Sequence, residues 1–98
     1  MQPNNYIGRL QHAIKEVHGS DSRHLGTDKV TAMHEGKIAW DGEVEKFELL
    51  NHTQTNRCYA WAYEDNGEMK VTAVLEIPPV DSASTAVDVA IAAKASRK

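Results

Sequence analysis

The sequence predicts a single α+β domain over residues 1–98. In it, an antiparallel β-sheet, in α-β-β-β-β-α order, carries both terminal helices packed on one face. Three observations predict this class: an amphipathic segment near each end, alternating segments between them, and an Asn-Gly pair at positions 66 and 67. A chain of 98 residues can bury one hydrophobic core but not two. Consecutive hairpins form an antiparallel sheet, and two helices with one apolar stripe each cover one sheet face most economically.

The first element is a predicted helix over Asn5–His18. Its apolar residues recur at spacings of three and four, which places them on one helical face: Tyr6, Ile7, Leu10, Ala13, Ile14 and Val17. Asn4 or Asn5 can cap the start of this helix, and Gly19 can adopt the left-handed conformation that ends it. The polar, glycine-containing stretch Gly19–Asp28 that follows is predicted to be a loop.

Two strand regions follow, Val30–Glu35 and Ile38–Leu50, joined by a turn at residues 35–37. The alternation in the second region changes phase around Asp41-Gly42. Either these two residues form a hairpin turn, or Gly42 marks a bulge in one long bent strand. The bent strand is favoured, because residues 38–40 alone are very short for a strand.

The hairpin signal at Asn66-Gly67 predicts paired strands over Arg57–Glu64 and Glu68–Ile77. Pro78-Pro79 ends the second strand, because neither ring nitrogen can donate to a ladder. Asp81 or Ser82 then caps a final helix that extends to about Ser96. Its predicted apolar stripe consists of Ala83, Ala86, Val87, Ala90 and Ile91.

The register of this hairpin decides which face of the third strand is exposed. A two-residue turn pairs Glu64 with Met69. It then puts Cys58, Ala60 and Ala62 under the helices and leaves the opposite, aromatic face of the strand uncovered. A three-residue turn buries the aromatic residues instead. The two-residue turn is favoured, so we expect a homodimer through this face, as a non-catalytic interaction domain. The expected interface residues are Tyr59, Trp61, Tyr63, Lys70, Thr72 and Trp40.

Two alternative functions remain open from the sequence. The first is small-molecule binding in a pocket between sheet and helices, lined by Trp40, Trp61 and Tyr63. The second is a metal- or histidine-dependent enzyme built on the weak metal-ligand candidates His18, His24 and His34, although no recognised metal-binding spacing is present. No catalytic residue and no cofactor is predicted. Cys58 is expected to be a buried structural thiol, and the acidic residues of the second strand region are expected to be a solvated face.

Composition disfavours several classes of protein. The net charge is −3, and acidic and basic residues are interspersed, so no nucleic-acid partner is expected. The element order resembles that of the double-stranded-RNA-binding domain. That family carries lysines at the start of its last helix, whereas the final helix here begins Asp81-Ser82-Ala83, so the chain is not assigned to it. A single cysteine, no apolar run of membrane-spanning length and no N-terminal signal pattern lead us to expect a cytoplasmic protein.

Three stretches resemble those of small uncharacterised proteobacterial proteins, including standalone proteins carried on mobile gene cassettes. The similar stretches are Trp40-Asp41-Gly42-Glu43-Val44, Arg57-Cys58-Tyr59-Ala60-Trp61-Ala62 and Ala73-Val74-Leu75-Glu76-Ile77-Pro78-Pro79-Val80-Asp81. The resemblance covers most of the chain after His24. It implies a bacterial, soluble, standalone domain and no particular activity.

Overall fold

The computed structural model describes residues 5–95. The predicted α-β-β-β-β-α order and the four-stranded antiparallel sheet are confirmed, with the strands in sequence order. The elements are α1 (Asn5–His18), β1 (Ser22–His34), β2 (Lys37–Leu49), β3 (Arg57–Asp65), β4 (Glu68–Leu75) and α2 (Ala83–Ala95).

The predicted helix boundaries agree with the structure where residues are described. Gly19 has a φ of 71° and donates its N–H to the Lys15 carbonyl oxygen at 2.9 Å, which closes α1 as predicted. At the start of α2, the Thr85 N–H donates to Ser82 Oγ at 3.2 Å, so Ser82 is the cap. Asn4 and Ser96 lie outside the described residues.

The prediction that residues 19–28 form a loop is wrong from Ser22 onwards. β1 pairs with β2 over its whole length, from Ser22 opposite Leu49 to His34 opposite Lys37. A register shift between His24 and Gly26 sets Leu25 outside the ladder, so the alternation that would reveal this strand is interrupted in the sequence.

The bent second strand is confirmed, because β2 is continuous through residues 41 and 42. Gly42, however, lies opposite Val30 in regular register and is not the bulge. The irregularity comes earlier, where Ala32 faces Trp40 and Met33 faces Ile38, so that Ala39 is the additional residue.

The two-residue turn between β3 and β4 is confirmed. Glu64 lies opposite Met69, and Asn66 and Gly67 both have positive φ, at 54° and 82°. Two consecutive left-handed residues are the geometry of the type I′ turn that an Asn-Gly pair favours.

Both helices pack on the sheet, but the prediction that they share one face is wrong. α1 packs Leu10 and Ile14 against the face that carries Phe47, Cys58 and Ala60. α2 and the segment before it pack on the opposite face, in the cluster of Val30, Ala32, Val44, Tyr59, Trp61, Val80, Ala83, Ala86 and Val87. The reason lies in β3, whose residues are apolar in both parities, so that each sheet face needs its own helix.

The two hairpins of the sheet separate towards their tips. β2 pairs with β3 over only four residues, from Glu45 opposite Ala60 to Glu48 opposite Arg57. Beyond Ala60, β3 pairs with β4 alone. The Ala62 N–H donates instead to the Tyr6 hydroxyl of α1 at 3.3 Å, so a side chain replaces the missing strand contact.

Gly67→Ala should lower the free energy of unfolding by about 1 kcal/mol, because an L side chain is disfavoured at positive φ. Gly26→Ala is the matched control: a β-carbon there meets no atom within 4 Å, and its φ is not in the left-handed region. Urea denaturation of both variants measures the difference. Equal effects of the two substitutions would contradict the observed turn.

Candidate functional site

The aromatic face of β3 is covered, contrary to the expectation that it lies open. α2 lies on this face, and Tyr59 and Trp61 are only 2% and 4% exposed. The expectation failed because it assigned both helices to the other face, although it had the hairpin register right. An interface between two copies on this face would have to displace α2.

A cavity of about 320 Å³ lies beside these residues, between the sheet and the middle of α2. Of the residues predicted to line a pocket, Trp40, Trp61 and Tyr63 are all in its wall. The remaining wall residues are Ala39, Thr72, Val87, Ala90 and Ile91. The cavity therefore brings together residues from β2, β3, β4 and α2.

The position of the cavity follows from the separation of the hairpins. Trp40 of β2 and Trp61 of β3 lie on the two sides of the gap, and their ring centroids are 5.8 Å apart at an interplanar angle of 48°. At that separation the rings touch each other in a tilted arrangement. The two rings form one continuous wall. A flat molecule can pack against this wall, but it cannot insert between the rings.

Gly42 allows Trp40 to lie against the β2 backbone. A β-carbon at position 42 would come within 2.8 Å of Trp40 Cζ2, the far side of the indole ring. Only glycine therefore leaves room for this ring position. The extra residue Ala39 turns to the same side as Trp40 and contributes to the wall.

The other predicted interface residues have separate positions. Thr72 contributes its hydroxyl-bearing side chain to the cavity wall, whereas Lys70 is exposed on β4. Tyr59 does not line the cavity; its hydroxyl donates to Glu76 Oε2 at 2.9 Å. Burial, together with this hydrogen bond, raises the pKa of Tyr59 to about 12.

The three histidines proposed as metal ligands are not brought together. His18 Nε2 donates to the Ala73 carbonyl oxygen at 3.0 Å, His24 Nε2 lies 2.7 Å from Glu45 Oε1, and His34 lies beside Glu35. Within residues 5–95, no group of three or more His, Cys, Asp and Glu residues could hold a metal ion.

Glu45 is a buried carboxylate that the sequence analysis did not single out. It was expected on a solvated face, but it is 4% exposed, and its Oε1 also accepts a hydrogen bond from Thr27 Oγ1 at 2.5 Å. These contacts satisfy a buried carboxylate on the α1 face of the sheet. The pairing of β1 with β2 sets His24 opposite Phe47 and so brings the imidazole ring to Glu45. This long-range register is not visible in any local sequence pattern.

Cys58 is buried, as predicted. Burial raises the pKa of its thiol to about 12, and the thiol lies on the α1 face, away from the cavity. A thiol is nucleophilic as its thiolate, so this environment is typical of a structural cysteine.

Comparison with protein-family models, curated proteins and solved structures finds no significant match to this chain. Among the described residues, neither helix is long and apolar enough to cross a membrane.

Gly42→Ala should change the cavity wall, because the new methyl group forces the Trp40 indole away from β2. Both tryptophans of the chain, Trp40 and Trp61, line the cavity, so tryptophan fluorescence reports on this wall. We expect a shifted emission maximum in Gly42→Ala, whereas the Gly26→Ala control keeps the wild-type spectrum. Identical spectra for all three proteins would contradict the ring position.

The free energy of unfolding should fall as the pH rises from about 9 towards 12. The ordinary pKa values of the Cys58 thiol and the Tyr59 hydroxyl are 9.0 and 10.0, so the unfolded chain loses these protons first. Ionisation thus stabilises the unfolded state in that window, and the stability present below pH 9 is lost. Urea denaturation across this range should show a smaller loss for Cys58→Ala than for wild type; equal losses would contradict a buried thiol.

Proposed function

We propose that this protein binds a small, planar, uncharged and mostly aromatic molecule in the cavity between α2 and the sheet. The observation that supports this function is the wall itself: two touching indole rings and Tyr63 on the sheet side, and aliphatic side chains on the α2 side. Ligand sites in proteins are typically concave and apolar, with a few polar groups that orient the ligand.

The size of the cavity limits the ligand. An engineered apolar cavity of about 150 Å³ holds one benzene molecule, and this cavity is about twice that volume. Two fused rings therefore fit. The tilted indole pair offers one extended surface, so a flat bicyclic molecule gains contact with both rings at once.

The chemistry of the wall limits the charge of the ligand. None of the eight wall residues is a lysine, arginine, histidine, aspartate or glutamate. A charged ligand would lose its hydration without a compensating partner in the wall, which is costly. The hydroxyl-bearing side chains, Tyr63 and Thr72, suit a ligand that carries a hydroxyl or carbonyl group.

The same composition favours binding over catalysis. General acid–base catalysis needs a positioned group whose pKa lies near the working pH, most often a histidine or a carboxylate. Tyr63 is the one titratable residue in the wall. Buried Glu45 and its exposed partner His24 belong to the opposite face of the sheet, so they cannot reach a molecule in the cavity.

Ala90→Leu should weaken binding of 2-naphthol at least about tenfold, because the larger side chain of α2 takes up part of the cavity. Val89→Leu is the matched control, since the neighbouring position is exposed and outside the wall. Isothermal titration calorimetry should show the same affinity for 2-naphthol in wild type and Val89→Leu, and a weaker affinity in Ala90→Leu.

The charged analogue 2-naphthoate tests the second half of the proposal. We expect it to bind at least about tenfold more weakly than 2-naphthol, because its carboxylate loses hydration. Equal binding of 2-naphthol by wild type and Ala90→Leu, or no binding of neutral bicyclic compounds at all, would sink the proposed function.

A further inference from the structure

β4 is an edge strand with an open stretch of backbone. The Glu76 N–H donates to the Arg57 carbonyl oxygen at 2.9 Å. Because hydrogen-bonded pairs alternate along an antiparallel ladder, the even-numbered residues of β4 form the backbone hydrogen bonds to β3. The odd-numbered residues direct their backbone groups outwards. The Ala73 carbonyl oxygen accepts a hydrogen bond from His18, but no described residue bonds to the backbone of Met69 or Val71.

A groove runs along this edge on the side of α1. It has a volume of about 480 Å³, and Val71 forms its β4 wall. The α1 wall consists of Gly8, Arg9, His12, Ala13 and Glu16. Two large apolar side chains near the groove are exposed: Met69 of β4 at 62%, and Val17, one turn beyond Ala13, at 66%. An open strand edge beside exposed apolar side chains is a surface that favours a further strand.

The charges along the groove identify what fits it. Arg9 lies towards the start of α1 and forms no ion pair with the described residues. Glu16 lies about 10 Å further along the helix axis, and its Oε2 is 3.1 Å from His12 Nε2. A helix that runs antiparallel to α1 and carries the same charges would place a glutamate opposite Arg9 and an arginine opposite Glu16. The pattern is self-complementary, which is the requirement of a twofold interface.

We propose that a second copy of this chain occupies the groove, with β4 pairing antiparallel to β4 of the other copy and the two α1 helices side by side. A twofold axis at Val71 pairs Val71 with its equivalent through two backbone hydrogen bonds. It places Lys70 opposite Thr72 of the other copy, so no lysine faces a lysine. The product is one continuous eight-stranded sheet. The two α1 helices of this interface lie on the opposite sheet face from the ligand cavity, and Arg9 and Glu16 line no part of that cavity, so the dimer can be tested separately from ligand binding.

Charge reversal tests this interface. Arg9→Glu places two glutamates opposite Glu16 residues, and Glu16→Arg places two arginines opposite Arg9 residues. Each variant alone should dimerise at least about tenfold more weakly than wild type, because like charges face each other twice. An equimolar mixture of the two variants should dimerise again, since every facing pair is then of opposite charge. Sedimentation velocity of the full chain, from micromolar to near-millimolar concentration, measures all of these states.

Hydrogen exchange tests the strand pairing in the same samples. The amide of Val71 should become protected as the wild-type concentration rises, whereas the single variants should leave it exchanging. A wild-type monomer at every concentration would overturn the proposal. A dimer that ignores both charge reversals would also overturn it, because that dimer would use another surface.

Discussion

The structure depends on the apolar character of β3 on both of its faces. Cys58 and Ala60 point to one side and Tyr59 and Trp61 to the other, and all four are buried. A strand of this kind cannot lie on a sheet with one wet face, so both faces must be covered. With one helix at each end of the chain, the only economical solution is one helix on each side.

The same arrangement explains why a cavity forms where it does. The two long strands β1 and β2 form one hairpin, β3 and β4 form another, and only residues 45–48 of β2 join them to β3. Towards the tips the hairpins separate, and side chains must fill what backbone pairing leaves. On the α1 face Tyr6 does so through its hydrogen bond to Ala62. On the α2 face the indoles of Trp40 and Trp61 meet across the gap, but they do not fill the space beneath α2.

Local signals in the sequence were sufficient for some features and not for others. The Asn66-Gly67 turn depends on two residues whose positive φ angles can be anticipated, so the β3–β4 register was predictable. That register places Trp61 and Tyr63 on one face of β3, whereas the position of Trp40 depends on β2 and does not follow from it. The side on which each helix packs depends on long-range contacts, and no periodicity within α2 reveals which sheet face it meets. The start of β1 was missed for a related reason, because Leu25 interrupts the alternation and only pairing with β2 defines the strand.

The small side chain at position 90 is the strongest argument that the cavity is more than a packing defect. Unfilled apolar space lowers stability, since the wall loses dispersion contacts on one side. A leucine at this helical position would occupy part of it, and leucine has nearly the helix propensity of alanine. Helix formation therefore gives no reason to prefer the smaller residue. Gly42 supports the same conclusion, because the lack of a β-carbon at this position of β2 leaves room for the Trp40 ring in the wall. Two positions thus keep the space open and aromatic, which a binding site requires and a core does not.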